Sequence, residues 1–338
     1  MLEATDLSVE FAGRGGRRAR AVDGVNLSVG AGEIVALVGE SGCGKTTLAR
    51  TLLGLERPTS GRITYDGTPL SYTGRALKAF RRQVQLVLQD PMGSLNPRQT
   101  VYEAVAEGPR IHRLPSRNTA AVAGSEVAAA PVDEEALVAS ALSRAGLRPP
   151  ERFFHRFPHQ LSGGQRQRVV IAGALALDPK VLIADEPVAS LDASVRGEIL
   201  SLLLRLRDDL GLSALVVTHD LGLAWNIADR VAVMYLGRIV ESGPTEDVLT
   251  DPQHPYTQAL LSVLPESPQR IVLTGEPPDP TRIPTGCRFH PRCQLVAQGN
   301  GAPACSTQPL PILPAGASPQ VACHMAGVDQ TAVSSSGS

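Results

Sequence analysis

A glycine-rich stretch near the start of the chain, Gly39–Thr46, constrains the fold more than any other part of the sequence. It reads GESGCGKT and matches the pattern G-x-x-x-x-G-K-[ST]. The apolar run IVALV precedes it, and such a continuous run is typical of a parallel strand buried on both faces. The segment TTLARTLLGL that follows has the apolar spacing of a helix. A strand, a glycine-rich turn and a helix in this order predict an α/β fold with a phosphate-binding loop.

This loop carries the groups that hold nucleotide phosphates. Its glycines let several backbone N–H groups point at phosphate oxygens, and the helix after it aims the positive end of its dipole at the same anion. We expect Lys45 to neutralise the β- and γ-phosphates and the Thr46 hydroxyl to bind Mg²⁺. The predicted nucleotide-binding residues of the loop are Gly39, Ser41, Gly42, Gly44, Lys45, Thr46 and Thr47.

Polar residues follow three further apolar strands. Asp185 and Glu186 end the run VLIADE, Gln89 ends VQLVLQ, and His219 ends ALVVTH. The carboxyl edge of parallel strands is where α/β proteins bind ligands. We expect Asp185 to hold Mg²⁺ through water and Glu186 to polarise the attacking water as general base. Gln89 is predicted as a ligand of Mg²⁺ and water, and His219 as a γ-phosphate contact; a structural strand cap is the alternative for each.

A second glycine-rich helix start lies at Leu161–Gln165 and reads LSGGQ. A helix start of this kind binds anions, but it cannot serve phosphates that Gly39–Thr46 already holds with a helix start of its own. A head-to-tail dimer resolves this conflict, because each subunit would then complete the partner's site. Phe11 is a candidate for stacking on adenine, with a place in the strand core as the alternative. The nucleotide-binding residues predicted outside the phosphate loop are Phe11, Ser162, Gly164, Gln165 and Asp192.

Hydrophobic periodicity predicts the remaining elements. The strands LSVEF, AVDGVNLSV and GRITY lie near the start, and RVAVMYLGRIVESG predicts a hairpin that turns at Gly237. Helices are predicted through residues 133–147, 169–177 and 193–209.

These motifs, in this order across residues 1–245, resemble the ATP-binding-cassette (ABC) ATPases. The resemblance implies a P-loop NTPase fold with a RecA-like core, an antiparallel β subdomain and a helical subdomain at about residues 95–165, within an ATPase domain of residues 1–250. It also implies an ATP-hydrolysing enzyme, since none of the catalytic positions departs from the family's pattern.

A proline-rich stretch after residue 250 predicts a small, loop-rich C-terminal domain at residues 251–326, followed by a disordered tail at 327–338. The segments QHPYTQALLSVLP, CRFHPRC and VACH resemble the C-terminal extension of oligopeptide/dipeptide importer ATPases, and DPMGSLNP after Gln89 is also similar to that group. The low-complexity insertion at 116–131 is not part of that pattern. The resemblance implies peptide uptake at the cytoplasmic face of the plasma membrane, together with a second homologous ATPase, two permease subunits and an extracellular solute-binding protein.

Four of the five cysteines lie in this extension: Cys287, Cys293, Cys305 and Cys323. Four thiolates are what a [4Fe–4S] cluster needs, although the spacing differs from that of ferredoxins. Zinc accepts the same donors, and His324 could replace one of them. Some relatives in the resembled family hold an iron–sulfur cluster here, which favours the cluster over zinc. Four reduced thiols without a metal are the remaining alternative.

Composition narrows the choice of function. The formal net charge of −1 gives no field to attract nucleic acid, so we expect no such partner. No run of about 18 apolar residues is present, and the first residues lack the apolar core of a signal peptide. An importer for nickel or another small solute stays open, because the extension does not identify the solute. A soluble ABC ATPase acting on ribosomes or DNA is less favoured, since those proteins usually carry two cassettes or a long coiled-coil insertion.

Overall fold

The computed structural model describes residues 1–13, 16–114, 133–189, 191–264 and 270–326. The predicted insertion at 116–131 and the predicted disordered tail at 327–338 lie outside these residues. The chain divides into two compact units, one formed by Met1–Leu70 with Leu215–Ser338 and the other by Ser71–Ala214.

The first unit begins with an antiparallel sheet. Its strands lie in the order β2-β1-β4-β5. Buried Leu2, Ala4, Leu7 and Val9 recur along β1 between more exposed residues, which is the pattern of a strand with one face on a core. The bounds are β1 Leu2–Ala12, β2 Arg18–Val29, β4 Ser60–Tyr65 and β5 Thr68–Pro69, and the strands predicted in this region are confirmed.

A second sheet in this unit carries the predicted phosphate loop. The strands β11, β10, β9, β3 and β8 are neighbours in that order. All five residues of β3 are buried, as its apolar run predicted, and β3 pairs in parallel with β9. The β9–β10 hairpin turns at Gly237, as predicted. The bounds are β3 Ile34–Val38, β8 Ser213–Thr218, β9 Arg230–Tyr235, β10 Arg238–Pro244 and β11 Gln320–Val321.

The helices of the first unit lie after its strands and within the C-terminal extension. They are α1 Lys45–Leu52, α9 Leu221–Ile227, α10 Thr245–Thr250, α11 Pro255–Leu261, α12 Gln294–Ala297 and α13 Ala304–Thr307, with a short 3-10 helix at His290–Arg292.

The second unit is largely helical. Its strands β6 Val84–Val87 and β7 Val181–Asp185 form a parallel pair. The helices predicted through residues 133–147, 169–177 and 193–209 are confirmed, although the second begins six residues earlier, at Gly163. The bounds are α2 Gly74–Gln83, α3 Pro91–Ser94, α4 Val101–His112, α5 Glu134–Arg144, α6 Glu151–Phe154, α7 Gly163–Leu175 and α8 Ala193–Leu210, with a 3-10 helix at Pro158–Gln160.

The C-terminal extension shares a hydrophobic core with the sheet of the first unit. Phe289 and Tyr256 from the extension pack with Tyr235 at the end of β9, and all three side chains are fully buried. The ring centroids lie 4.6 Å apart for Tyr235 and Tyr256, 5.3 Å for Tyr235 and Phe289, and 5.4 Å for Tyr256 and Phe289. These edge and tilted geometries are the favourable ones for aromatic pairs. The extension thus obtains its core from the sheet that it covers.

Within the described ranges, no helix combines the length and the apolar character that crossing a membrane requires.

This shared core predicts a large loss of stability for Phe289→Ala. Removing a fully buried ring leaves a cavity between Tyr235 and Tyr256, and such changes cost about 3–5 kcal/mol of unfolding free energy. Urea denaturation of the full chain measures the loss. The control is Val272→Ala, because Val272 is 75% exposed and should change stability by less than about 0.5 kcal/mol. Equal stabilities of the two variants would contradict the shared core.

Candidate nucleotide site

The phosphate loop connects β3 to α1, and two of its three glycines are required by close backbone packing. Gly39, Gly42 and Gly44 have φ angles of 153°, 78° and 109°. A Cβ on Gly39 would stand 2.2 Å from the carbonyl oxygen of Met234, and one on Gly44 would stand 2.0 Å from that of Ala21. No side chain fits at either position, and the left-handed backbone also disfavours one. The glycine pattern therefore reflects contact with β2 and β9 as well as the needs of a phosphate.

The Lys45 side chain lies against the backbone of this loop. Its Nζ donates hydrogen bonds to the carbonyl oxygens of Gly39 at 2.7 Å and Glu40 at 2.9 Å, and lies 3.9 Å from the Cys43 sulfur. Lys45 is buried. Burial raises the pKa of the Cys43 thiol, while the charge of Lys45 partly opposes that rise. The positive charge is thus held at the loop, where an anionic phosphate can meet it.

The other predicted residues of the first unit are accessible. Ser41, Thr46 and His219 are exposed, and His219 follows directly after β8, as predicted. Phe11 is 41% exposed at the end of β1, which removes the alternative of a core aromatic and leaves its ring free to stack on a base.

Contacts from the C-terminal extension hold the loop at Glu40. The Arg292 guanidinium donates to both carboxylate oxygens of Glu40, at 2.8 and 3.1 Å. The backbone N–H of Glu40 donates to the Tyr256 hydroxyl at 2.8 Å. Sequence reasoning missed these residues because 252 positions separate Glu40 from Arg292. Arg292 stood out only as part of the CRFHPRC resemblance, which does not say what the side chain contacts.

In the second unit, the structure brings Gln89, Asp185 and Glu186 to one edge of the β6–β7 pair. Val87 is paired with Ala184 in parallel register, so both strands end on the same side. Asp185 is buried as the last residue of β7. Glu186 follows with a φ of 50°, a left-handed conformation that is uncommon outside glycine and concentrates at functional sites. Gln89 is exposed and lies two residues beyond the end of β6.

The helix start at Leu161–Gln165 caps itself. The Ser162 hydroxyl accepts a hydrogen bond from the Gln165 N–H at 3.2 Å, and the Gln165 side chain accepts one from the Ser162 N–H at 3.1 Å. This reciprocal pair is a capping box at the start of α7. Gly164 is buried, and a Cβ there would stand 2.4 Å from a methyl carbon of Val195. Ser162 is exposed and so can reach a ligand, and the missing side chain of Gly164 leaves room for Val195.

Asp192 begins helix α8. Its Oδ1 accepts hydrogen bonds from the Val195 N–H at 3.0 Å and the Ser194 hydroxyl at 2.7 Å. These bonds lower the pKa of Asp192, so the side chain is a charged helix cap.

The four cysteines of the extension are free thiols, three of them buried, and the Cys287 N–H donates to the Cys305 carbonyl oxygen at 2.8 Å. Burial first, and then the charges of Cys323, Cys293 and Cys305, raise the pKa of Cys287 to about 12. Burial likewise raises the pKa values of Cys293 and Cys323, with the neighbouring thiols adding to the rise. The donor type suits a soft metal or an iron–sulfur cluster. Among the described residues, however, no three Cys, His, Asp or Glu side chains are arranged to hold a metal ion, and His324 instead contacts the Gln308 carbonyl oxygen.

Comparisons with known proteins agree with this geometry. Residues 22–189 match the family profile described as "ABC transporter", and residues 240–299 match "Oligopeptide/dipeptide transporter, C-terminal region". The chain is 45% identical to the dipeptide transport ATP-binding protein DppF of Haemophilus influenzae, covering 82% of each chain. It is 42% identical to the putative oligopeptide transport ATP-binding protein YkfD of Bacillus subtilis, covering 87% of each.

A solved structure supports the fold. The dimeric structure of MJ0796, a bacterial ABC transporter cassette, superposes with a TM-score of 0.60 at 29% identity, over 72% of this chain and 99% of the other.

Proposed function

This chain belongs to the family of ABC transporter ATP-binding proteins, and from that premise we propose that it hydrolyses ATP to power the import of dipeptides or oligopeptides. The observation that carries ATP binding is the phosphate loop, where Gly39 and Gly44 admit no side chain and Lys45 is held at the loop backbone. The match of residues 240–299 to the oligopeptide/dipeptide transporter C-terminal region and the names of the relatives support the choice of solute.

In this proposal each predicted residue has one task. Lys45 and the loop N–H groups bind the β- and γ-phosphates, and the exposed ring of Phe11 stacks on adenine. The Thr46 hydroxyl, Gln89 and Asp185 hold Mg²⁺, which when bound neutralises charge on the transferred phosphoryl group. Glu186 accepts a proton from the attacking water, and His219 donates to a γ-phosphate oxygen.

The exposed Ser162 supports a dimer with split sites. Its hydroxyl lies at the start of α7, a 13-residue helix whose dipole favours an anion. We place it, with Gly164, Gln165 and Asp192, at the nucleotide bound by a second, homologous ATPase subunit. ATP would bind the closed dimer more tightly than the open one, and hydrolysis would remove that preference.

The proposed assembly contains two permease subunits beside the two ATPases, with a solute-binding protein outside the cell. The chain would then lie at the cytoplasmic face of the plasma membrane as a peripheral subunit. We also propose an ATPase domain at residues 1–250, with its helical part at about 95–165, and the importer-type extension at 251–326.

A metal at the four cysteines of the extension completes the proposal. The burial of three of these thiols and the backbone hydrogen bond between Cys287 and Cys305 support it, since a bound cation would stabilise buried thiolates. The sulfur atoms must draw together on binding, because no three of the described ligand side chains are so arranged. A [4Fe–4S] cluster is preferred to zinc on the family resemblance.

Anaerobic purification tests that metal. We expect a brown protein with four iron atoms per chain, lost in Cys305→Ser and kept in Cys43→Ser, because Cys43 belongs to the phosphate loop. One zinc ion per chain would replace the cluster by the alternative metal, and a colourless protein free of both would refute a metal at this site.

Glu186→Gln tests the proposed hydrolysis. The amide cannot accept the proton of the attacking water, so turnover in the assembled complex should fall about a hundredfold to ten-thousandfold, while MgATP binding persists. Phosphate release and equilibrium nucleotide binding measure the two effects. The matched control is Glu135→Gln, an exposed carboxylate of α5, which should keep full turnover. Normal hydrolysis by Glu186→Gln would show that the general base lies elsewhere.

Ser162→Arg tests the split site. The bulky cation should leave MgATP binding to its own chain unchanged and lower turnover of the complex about a hundredfold or more, because it blocks the partner's nucleotide. Ser201→Arg, at an exposed position of α8, should turn over normally. If Ser162→Arg instead abolished binding to its own chain, the argument for a site shared between subunits would fail.

A further inference from the structure

The segment bounded by two of the cysteines, Cys287–Cys293, reaches the phosphate loop through Arg292. This arginine is buried with only 7% of its side chain exposed, and it forms two parallel hydrogen bonds to the Glu40 carboxylate. Burial disfavours the charge of Arg292, but the hydrogen bonds to Glu40 and Tyr235 outweigh it and raise its pKa. A two-point pair between a planar guanidinium and a carboxylate fixes orientation as well as distance.

The ion pair between Arg292 and Glu40 affects ATP binding because it neutralises a negative charge in the phosphate loop. Glu40 is the one acidic residue of the loop Gly39–Thr47. A carboxylate in a loop that binds polyphosphate repels the ligand unless a cation offsets it, and the repulsion is stronger where little water screens it. Lys45 cannot fill both roles, because its ammonium is needed at the phosphates. Arg292 supplies the second positive charge from the extension.

The pair also fixes the loop backbone. Each polar group of Glu40 has a partner: its side chain binds Arg292, its N–H donates to the Tyr256 hydroxyl, and its carbonyl oxygen accepts from Lys45 Nζ. Glu40 therefore links Arg292 directly to Lys45, the residue proposed to hold the phosphates. A change in the position of Arg292 would alter the position of Lys45 through Glu40.

A second contact braces the same loop from the same segment. The Arg288 guanidinium is buried and donates to the carbonyl oxygen of Leu236, in the β9–β10 turn, and to the carboxylate of Asp23. The next residue of that turn, Gly237, donates its N–H to the Cys43 carbonyl oxygen at 2.8 Å and accepts from the Asp23 N–H at 2.9 Å. The extension thus reaches the loop at Glu40 directly and at Cys43 through the turn.

The segment between the two arginines is held firmly enough to act as a brace. Phe289 lies between Arg288 and Arg292 in sequence and is fully buried against Tyr235 and Tyr256. The backbone N–H of Cys287 donates to the Cys305 carbonyl oxygen at 2.8 Å, which joins the segment to a third cysteine.

We propose that Arg292 is a positioning residue of the ATP site, which acts through Glu40 and makes ATP affinity depend on the cysteine-bounded segment. The proposal rests on the nucleotide site proposed above. Under this proposal the extension has a function within this chain, apart from any contact with other subunits. It neutralises the Glu40 carboxylate of the phosphate loop and positions the loop backbone to which Lys45 is hydrogen-bonded.

A double-mutant cycle tests this claim in the full chain. Equilibrium MgATP binding should weaken about tenfold in Arg292→Ala, because Glu40 is left unpaired beside the phosphates. In a Glu40→Gln background the same Arg292→Ala change should weaken binding less than about twofold, because no carboxylate remains to repel the nucleotide. Equal losses in both backgrounds would overturn the proposal, since Arg292 would then act through general stability.

Kinetics of the assembled complex separate positioning from folding. Arg292→Ala should raise the KM for ATP with kcat nearly unchanged, and Arg292→Lys should recover part of the loss because it restores the charge without the two-point geometry. The control Arg270→Ala removes an exposed arginine of the extension and should leave KM unchanged. A fall in kcat alone, or no recovery by lysine, would refute the proposed role.

MgATP binding by the wild-type chain distinguishes a failure of the proposed nucleotide function from a failure of the proposed role of Arg292. If the wild-type chain fails to bind MgATP, the proposed nucleotide function fails. If it binds and Arg292→Ala binds equally well, the function stands and the bridge from the extension is refuted.

Discussion

The phosphate loop packs closely against two backbone carbonyl groups, and the geometry of the nucleotide site depends on that packing. The loop approaches Ala21 in β2 and Met234 in β9 so closely that a single added carbon at Gly44 or Gly39 collides with a carbonyl oxygen. The shape of the loop therefore depends on both the antiparallel sheet and the β3–β9 pairing. The C-terminal extension adds a third support at Glu40. The phosphate loop is a short local turn, but it is held by residues that lie far apart in the sequence of the first unit, in β2, in β9 and in the C-terminal extension.

Local patterns predicted much of this arrangement, because the chemistry they encode is local. The apolar run of β3, the glycines after it and the turn at Gly237 each depend on neighbours in sequence, and each is found where expected. The pairing of β6 with β7 is not local, since Val84 lies beside Val181. Gln89 and Glu186 were nevertheless expected at one edge, because α/β proteins bind ligands at the carboxyl ends of parallel strands. The bridge between Glu40 and Arg292 had no such signal, since periodicity and motif spacing say nothing about partners 252 residues apart.

The structure also changes what two sequence features mean. Gly164 is predicted to contact nucleotide, and its missing side chain also makes room for Val195. Asp192 is predicted to bind nucleotide as well, and it caps α8. Ser162, in contrast to both, has an exposed side chain at the start of α7 that can reach a phosphate. The prediction of a shared site thus depends mainly on Ser162 and on the start of α7.

The central claim is that this chain binds ATP by itself but hydrolyses it only when a partner subunit completes the site. The most direct measurement follows ATP binding and phosphate release by the purified full chain over a dilution series, and then after assembly with its partner ATPase and permeases. At a fixed MgATP concentration, binding per chain should stay constant on dilution, turnover per chain should fall towards zero, and assembly should restore turnover. Turnover per chain that is independent of concentration, in a chain shown to be monomeric, would contradict the central claim.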